Sequence, residues 1–400
     1  MNILFLTLGE VETISSPGIY TDLYRKFRDE GHGVYIVSAN ERRTGKNTEF
    51  YTEENANFLR VKIGNITKCG MLEKGISTLL VEYLFTNAIK KYLSNVKFDL
   101  VFYTTPPITF ANVVKFIKNR DGAKSYLALK DIFPQNALDI GVLKTSGIKG
   151  FIYRYFRKKE KALYALSDTI GCMSPANCEY VLENNPEVLN EKVELFPNTI
   201  EYRDVSVTAE EKCAIREKYG IPQDKKVFVY GGNLGRPQGI PFIIECLKSQ
   251  AKNENVFFLI VGNGTEFSKL EEYYSIEKPV NVKIMQRLPR EDYDAMISAC
   301  DVGLIFLDYR FTIPNYPSRL LAYMQAGLPV VAATDVNTDI GEFLTKNGLG
   351  WWCESNDVQA FGECVEKAIK TDKEPIAKKT IAYLKENYSV EKSYKIIMGK

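Results

Sequence analysis

NYPSRLLAYMQAGLPVVAATD, residues 315–335, decides the fold. Asn315 and Pro317 stand before an apolar run that begins at Leu320, Gly327 stops that run, and PVVAAT follows as an uninterrupted stretch of strand length. Before the final Asp335 its one charge is Arg319. A proline-fixed helix start, a glycine stop and a strand without polar alternation read as one unit of a parallel sheet covered on both faces. At the head of that helix the amides of Ser318, Arg319 and Leu320 lack intrahelical acceptors, with Asn315 or Ser318 as the cap. Free amides and the positive end of the helix dipole make a place for an anion.

Outward from this stretch the same pattern repeats. NILFLT, VYIVSAN, LRVKI, DLVFYTT, KSYLALKD, DTIGCMS and KVELFPN form one series of short apolar runs with helix-length segments between them, ending near Asn198. KVFVYGG, VFFLIVG, VKIMQ, VGLIFL, PVVAATD and LGWWC form a second. The reading is α/β: two doubly wound, Rossmann-like parallel-sheet domains, 1–198 and 199–383, facing a cleft, with a final helical segment 384–400. Ligands of such sheets bind beyond the carboxyl ends of the strands, so the loops after the strands are the ones that matter.

Composition bounds the function. A 400-residue chain with 45% hydrophobic and 26% charged residues holds two cores, and a formal net charge of +2 excludes the broad basic surface that phosphate-backbone binding requires. The eight cysteines include no CxxC pair and lie mostly in apolar runs, which predicts buried free thiols in a reducing compartment and no structural zinc. The opening NILFLT lacks the charged front of a signal peptide, which predicts a cytoplasmic protein. No run approaches the roughly 20 apolar residues of a membrane span, so any membrane contact is peripheral.

Two further loops favour anions. GGNLGRPQG places Gly231, Gly232 and Gly235 after a strand, with Arg236 beside them; Gly262, Asn263 and Gly264 follow the next strand. Exposed backbone amides and a planar guanidinium suit a phosphate, although a glycine-rich turn is also simply a tight corner.

The order of GGNLGRPQG, VGNGTE, MQRLPREDYDAMISACDVGLIFL and PSRLLAYMQAGLPVVAATD resembles the donor half of family 4 retaining glycosyltransferases of the GT-B fold. In the first half, NILFLT, SPGIYTDLYRKFRDEGHGVYIVS and KDIFPQNALDIGVL resemble members that build bacterial surface polysaccharides such as capsule or O-antigen, including transferases of N-acetylated deoxyhexosamines. The resemblance implies a metal-independent hexosyl transfer from a nucleoside diphosphate sugar, UDP by family habit, to a lipid-linked glycan, without a cofactor. It implies that the final helix returns to the first domain. Gly232, Asn233, Gly235, Gln238, Gly262, Gly264, Arg287 and Leu288 would line the nucleotide end, and Asn315, Pro317, Ser318, Arg319 and Leu320 would face the donor diphosphate. Gly18 and Asp131 would approach the transferred sugar and acceptor.

The chain departs from the family pattern at four places. The paired glutamates of the family fall on Pro314 and Ala322, and the Arg and Lys of its glycine loop fall on Asn233 and Gln238. The expectation is therefore a diphosphate held by main-chain nitrogens and one guanidinium, Arg236, without acidic side chains. A hundredfold loss of turnover is expected in Arg236→Ala, from about 3 kcal/mol of lost charge stabilisation. A nucleotide-sugar epimerase of the same fold and a non-catalytic nucleotide-sugar-binding relative are the alternatives. One histidine, His32, at the end of the first helix, argues against the proton transfers of an epimerase and against hydrolase triads. Asp292 and Asp294 read as the first turn of a helix, and no metal is predicted. Residues 149–161, KGFIYRYFRKKEK, hold six Lys or Arg against one Glu. With Phe151, Ile152, Tyr155 and Phe156 this segment reads either as a helix lying on an anionic membrane or as an amphipathic helix with its apolar side in the core.

Overall fold

A computed structural model describes residues 1–399. The chain divides into two compact units, Met1–Glu201 with the segment from Val390 onward, and Tyr202–Ser389. The first contains β1 (Asn2–Leu6), α1 (Ile19–Asp29), β2 (Gly33–Glu41), β3 (Glu49–Glu53), β4 (Ala56–Ile63), α2 (Met71–Tyr92), β5 (Leu100–Thr104), α3 (Ala111–Asp121), β6 (Lys124–Leu129), α4 (Gln135–Asp139), α5 (Gly147–Leu166), β7 (Thr169–Cys172), α6 (Pro175–Asn184) and β8 (Val193–Leu195). The second contains α7 (Ala209–Lys218), β9 (Lys226–Asn233), α8 (Ile240–Ser249), β10 (Val256–Asn263), α9 (Phe267–Glu277), β11 (Val282–Met285), α10 (Arg290–Ser298), β12 (Val302–Phe306), α11 (Arg319–Gln325), β13 (Val330–Thr334), α12 (Ile340–Lys346), β14 (Gly350–Glu354), α13 (Val358–Lys370) and α14 (Lys373–Asn387). Then α15 (Val390–Met398) closes the chain.

The first sheet runs β3-β4-β2-β1-β5-β6-β7-β8, and the second β11-β10-β9-β12-β13-β14. Every pairing is parallel except β3 with β4. That hairpin escapes the sequence reading. Its strand EFYTE is a short, mostly exposed edge, and its turn uses Glu54 and Asn55 in the left-handed region, φ 47° and 59°, where Asn-Gly is the usual signal. Where helices cross over from strand to strand, the apolar runs fill the sheet centres: Ile3, Leu4 and Phe5 in β1, and Val227, Phe228, Val229 and Tyr230 in β9, are completely buried. In each sheet the chain order turns once, beside β1 and β5 in the first and beside β9 and β12 in the second.

The boundary expected at 384 lies later. α14 stays with the second unit, where Gly327, at φ +62°, lets the turn after α11 come close to Ala377; the return to the first unit begins at Val390. Tyr394 of α15 enters the first core beside Phe27, and its hydroxyl lies 3.1 Å from Nε2 of His32. His32 itself follows a left-handed Gly31, and its amide donates to the Phe27 carbonyl at 3.1 Å, a helix-ending turn.

Candidate functional site

In the second unit the loops that leave β9 and β12, at the turning point of the sheet, carry the predicted site. Their glycines do different things. Gly231 is enclosed: its amide donates to the Tyr323 hydroxyl at 3.2 Å, and a Cβ there would fall 1.8 Å from the Tyr293 hydroxyl. A Cβ on Gly262 would lie 1.9 Å from the Gly232 carbonyl oxygen, and one on Gly264 would lie 2.3 Å from that of Leu234. Those two glycines let the end of β10 abut the loop, so their missing side chains serve backbone packing. Gly232 alone of the four faces a charged side chain. Its φ is +133°, and the nearest group to its missing Cβ is the guanidinium of Arg319, 3.7 Å away.

The sequence position of Arg319 points to its amide, and the structure adds its side chain. The guanidinium lies over the Tyr230 ring, 4.4 Å from the centroid, and its Nη1 is buried with no hydrogen-bond partner. Among the described residues no carboxylate pairs with it. A stacked arginine with an orphan donor is pre-organised for an anion, because its charge is permanent and its donors point in a fixed plane.

The loop closes on itself through the two positions where the family pattern has cations. Asn233 Nδ2 and the Gly235 amide both donate to Gln238 Oε1, at 2.9 and 3.2 Å. Arg236 opens the 3-10 turn Arg236–Gln238 with its side chain 56% exposed and Nε 3.5 Å from Glu266, which also takes Lys269 at 3.0 Å. Past β12, the Asp308 amide donates to the Pro237 carbonyl at 2.9 Å and its carboxylate pairs with Arg310 at 2.7 Å. The expected absence of acidic side chains is therefore corrected: Glu266 and Asp308 flank the loop, each paired with a cation.

The helix head is also weaker than expected. α11 has seven residues, and the Leu320 amide donates to the Pro317 carbonyl at 3.2 Å, which leaves the amides of Ser318 and Arg319 without a backbone acceptor. Neither Asn315 nor Ser318 caps it; Asn315 Nδ2 lies 3.5 Å from the Ile313 carbonyl, and its own carbonyl accepts from Thr338 Oγ1. Pro314 is buried and Ala322 half-buried. Arg287 is exposed and Leu288 half-buried in the loop after β11, and neither forms a hydrogen bond or ion pair with the other predicted residues. Asp292 pairs with Lys218 at 2.8 Å and Asp294 with Arg290 at 2.7 Å, as charged residues of the first turns of α10.

In the first unit the loop after β6 holds a perturbed pair. The Asp131 amide donates to Thr105 Oγ1 at 3.1 Å, and its carboxylate accepts from Asn136 Nδ2 at 2.7 Å. Burial pushes the Asp131 carboxyl up to about 6, against the Asn136 hydrogen bond. Beside it, Lys130 Nζ donates to the Phe196 carbonyl at 3.2 Å and lies 4.6 Å over that ring, and burial pulls its ammonium down to about 7. Both groups are biased toward neutrality at the end of a central strand, where functional groups collect. Gly18 behaves otherwise: its amide donates to Asp22 Oδ1 at 3.0 Å, so that donor is occupied within the chain.

Residues 211–387 match the family model described as Glycosyl transferases group 1, which spans the glycine loop, Arg319 and the strands around them. Within the second unit, residues 211–387 are therefore similar to a group 1 glycosyltransferase domain. Over 340 residues, 82% of this chain and 80% of the relative, the chain is 24% identical to WbjE of Pseudomonas aeruginosa, which is named as a probable glycosyltransferase. Over 276 residues, 68% of this chain and 66% of the relative, it is 24% identical to WcaI of Escherichia coli K12, named as a putative glycosyl transferase of colanic acid biosynthesis. The crystal structure of Anabaena HepE in complex with UDP and glucose matches 100% of this chain and 98% of its own, at a TM-score of 0.69 and 16% identity. The fold of the chain is GT-B.

Sequence reasoning misses the Arg319 side chain, Tyr230 beneath it, Lys130, and the Glu266 and Asp308 partners. A cation one residue after a helix start is legible. That it turns back over the last aromatic residue before the glycines is a tertiary contact, 89 residues away in sequence, that no local pattern announces.

Proposed function

We propose that the protein moves a sugar from a nucleoside diphosphate sugar, a UDP-linked N-acetylated sugar, to a lipid-linked glycan acceptor in bacterial surface polysaccharide synthesis. The transfer proceeds with retention and without a metal. The observation that carries this reading is the buried, unpaired Nη1 of Arg319 beside the open face of Gly232. A diphosphate lying on Gly232 would give that nitrogen its missing acceptor. Arg236 would meet the outer oxygens, and its pairing with Glu266 is long enough, at 3.5 Å, to be exchanged for a phosphate. As the bond to the sugar breaks, negative charge grows on the departing phosphate, and donors fixed in advance stabilise that charge most.

In the first unit, Asp131 would orient the acceptor hydroxyl, and its elevated pKa suits a group that accepts and returns a proton near neutral pH. The basic start of α5, within residues 149–161, would rest on the membrane where lipid-linked acceptors are found. Among the described residues no helix is long and apolar enough to cross a membrane.

The test is a thermal-shift panel of UDP, GDP, ADP and dTDP sugars on the wild type and Arg319→Gln. UDP sugars should raise the wild-type midpoint and leave that of Arg319→Gln nearly unmoved, because ligands that bind the folded state stabilise it in proportion to affinity. A wild type that responds to no nucleotide sugar overturns the reading.

A further inference from the structure

α2 turns a row of large apolar side chains outward. Leu72 is 86% exposed, Ile76 61%, Leu79 58%, Leu80 48% and Tyr83 64%. Offsets of 4, 7, 8 and 11 from Leu72 place all five on one stripe of the helix. Its opposite face is already used, since Val81, Phe85 and Ile89 are fully buried in the core. An apolar stripe of this length exposed on a polar-rimmed domain marks an interaction surface.

Its neighbour says what covers it. Lys159 of α5 reaches Glu82 of α2 at 3.3 Å, and both helices pack against α3. From Lys144 to Lys159 the chain has no acidic residue, and Lys144, Lys149, Arg154 and Lys158 are all exposed. Between them the first turns of α5 expose Ile148, at 83%, and Phe151, at 67%. A second copy of the chain meeting this face across a two-fold axis would bring both sets of cations together, which is unfavourable. An anionic lipid surface neutralises them and accepts the apolar side chains at the level of the headgroups.

We infer that α2 is a membrane-inserting element: its outer stripe from Leu72 to Tyr83 enters an anionic bilayer surface, while the basic start of α5 supplies the electrostatic attraction. This rests on the membrane contact proposed for residues 149–161 and assigns the apolar part of the binding to a helix that lacks their positive charge. The two contributions have different salt dependence, because charge attraction is screened and apolar insertion is not.

Flotation of the full chain with phosphatidylcholine vesicles, with and without phosphatidylglycerol, at low and high salt, separates them. The variant Leu72→Ser/Ile76→Ser/Leu79→Ser should lose about tenfold or more in bound fraction at both salt concentrations, with an unchanged thermal midpoint because all three side chains face outward. Lys149→Ala/Arg154→Ala/Lys158→Ala should lose the preference for phosphatidylglycerol and keep a weaker, salt-insensitive binding. A serine variant that floats like the wild type overturns the role of α2 and leaves the α5 contact standing. A wild type that floats with neither vesicle overturns both. A wild type that is dimeric by light scattering, becomes monomeric in the serine variant and floats with neither vesicle assigns the stripe to a second copy and overturns the inference.

Discussion

The loop after β9, at the turning point of the second sheet, and the loop after β6, one strand beyond that of the first, both leave the carboxyl ends of parallel strands, yet they are built from opposite chemistry. Around Gly232 the charge is a guanidinium fixed on a tyrosine ring, with a pKa that no neighbour brings near neutrality. Around Asp131 and Lys130 the charges are a carboxyl pushed up to about 6 and an ammonium pulled down to about 7, both by burial. One region presents a permanent charge to whatever it binds, and the other holds groups whose charge changes across the physiological range. A permanent cation suits a diphosphate, which stays anionic throughout. Titratable groups suit a hydroxyl that must give up a proton.

The comparison breaks most easily at Arg319. Arg319→Ala should lower kcat/KM about a hundredfold or more, since it removes a shielded donor worth on the order of 3 kcal/mol to the leaving phosphate. Steady-state rates on a UDP sugar measure it; a change under about threefold would show that the diphosphate lies elsewhere. Arg319→Lys should recover only part of the loss, because an ammonium neither stacks on Tyr230 nor donates in a fixed plane. Next in size is Arg236→Ala. Its side chain is 56% exposed and shared with Glu266, so solvent screens it, and a loss of about tenfold is expected in place of the hundredfold that its sequence position suggests. Rates for the two alanine variants in parallel rank the two arginines. The opposite order would restore Arg236 as the principal cation.

How far the chain can be read without its structure follows the same division. Among the described residues the alternation of apolar runs sets out thirteen of the fourteen strands, because a parallel strand buried on both faces announces itself in a few consecutive residues. β3 is missed because an exposed edge with charged ends has no such run. Gly231, Gly232, Gly262 and Gly264 are legible as a group that brings backbones close, and their different duties are not, since each depends on which side chain lies opposite. Tyr293 closes one, the Leu234 carbonyl another, and Arg319 faces a third. Asn233 and Gln238 are legible as missing cations; that they clasp each other and leave the charge to Arg319 is a fact of the folded loop. Lys130 and Asp131 look like any charged pair after a strand, because burial is what changes their chemistry.

The smallest expected effect is the one that sharpens the comparison from the other side. A carboxyl with a folded pKa of about 6 against about 3.9 when unfolded binds its proton more tightly in the folded state. Stability is therefore greatest with the proton on, below about 4, and declines as the pH rises through 6. The substitution Asp131→Asn mimics the protonated form, so it should raise the unfolding midpoint by a few degrees at pH 8 and leave it nearly unchanged at pH 4. Lys130 has the opposite slope. Its ammonium is disfavoured in the fold, so it makes the wild type gain stability from about pH 7 toward 10, and Lys130→Met should remove that gain. If Asp131 works in its ionised form, Asp131→Asn should also abolish the fall in kcat/KM below pH 6 while lowering the plateau, whereas Arg319→Ala should lower the whole profile without changing its shape. A stabilised Asp131→Asn with full activity would leave the carboxyl as a buried structural group, and the first unit would then lose its titratable role while the guanidinium site of the second stood unaffected.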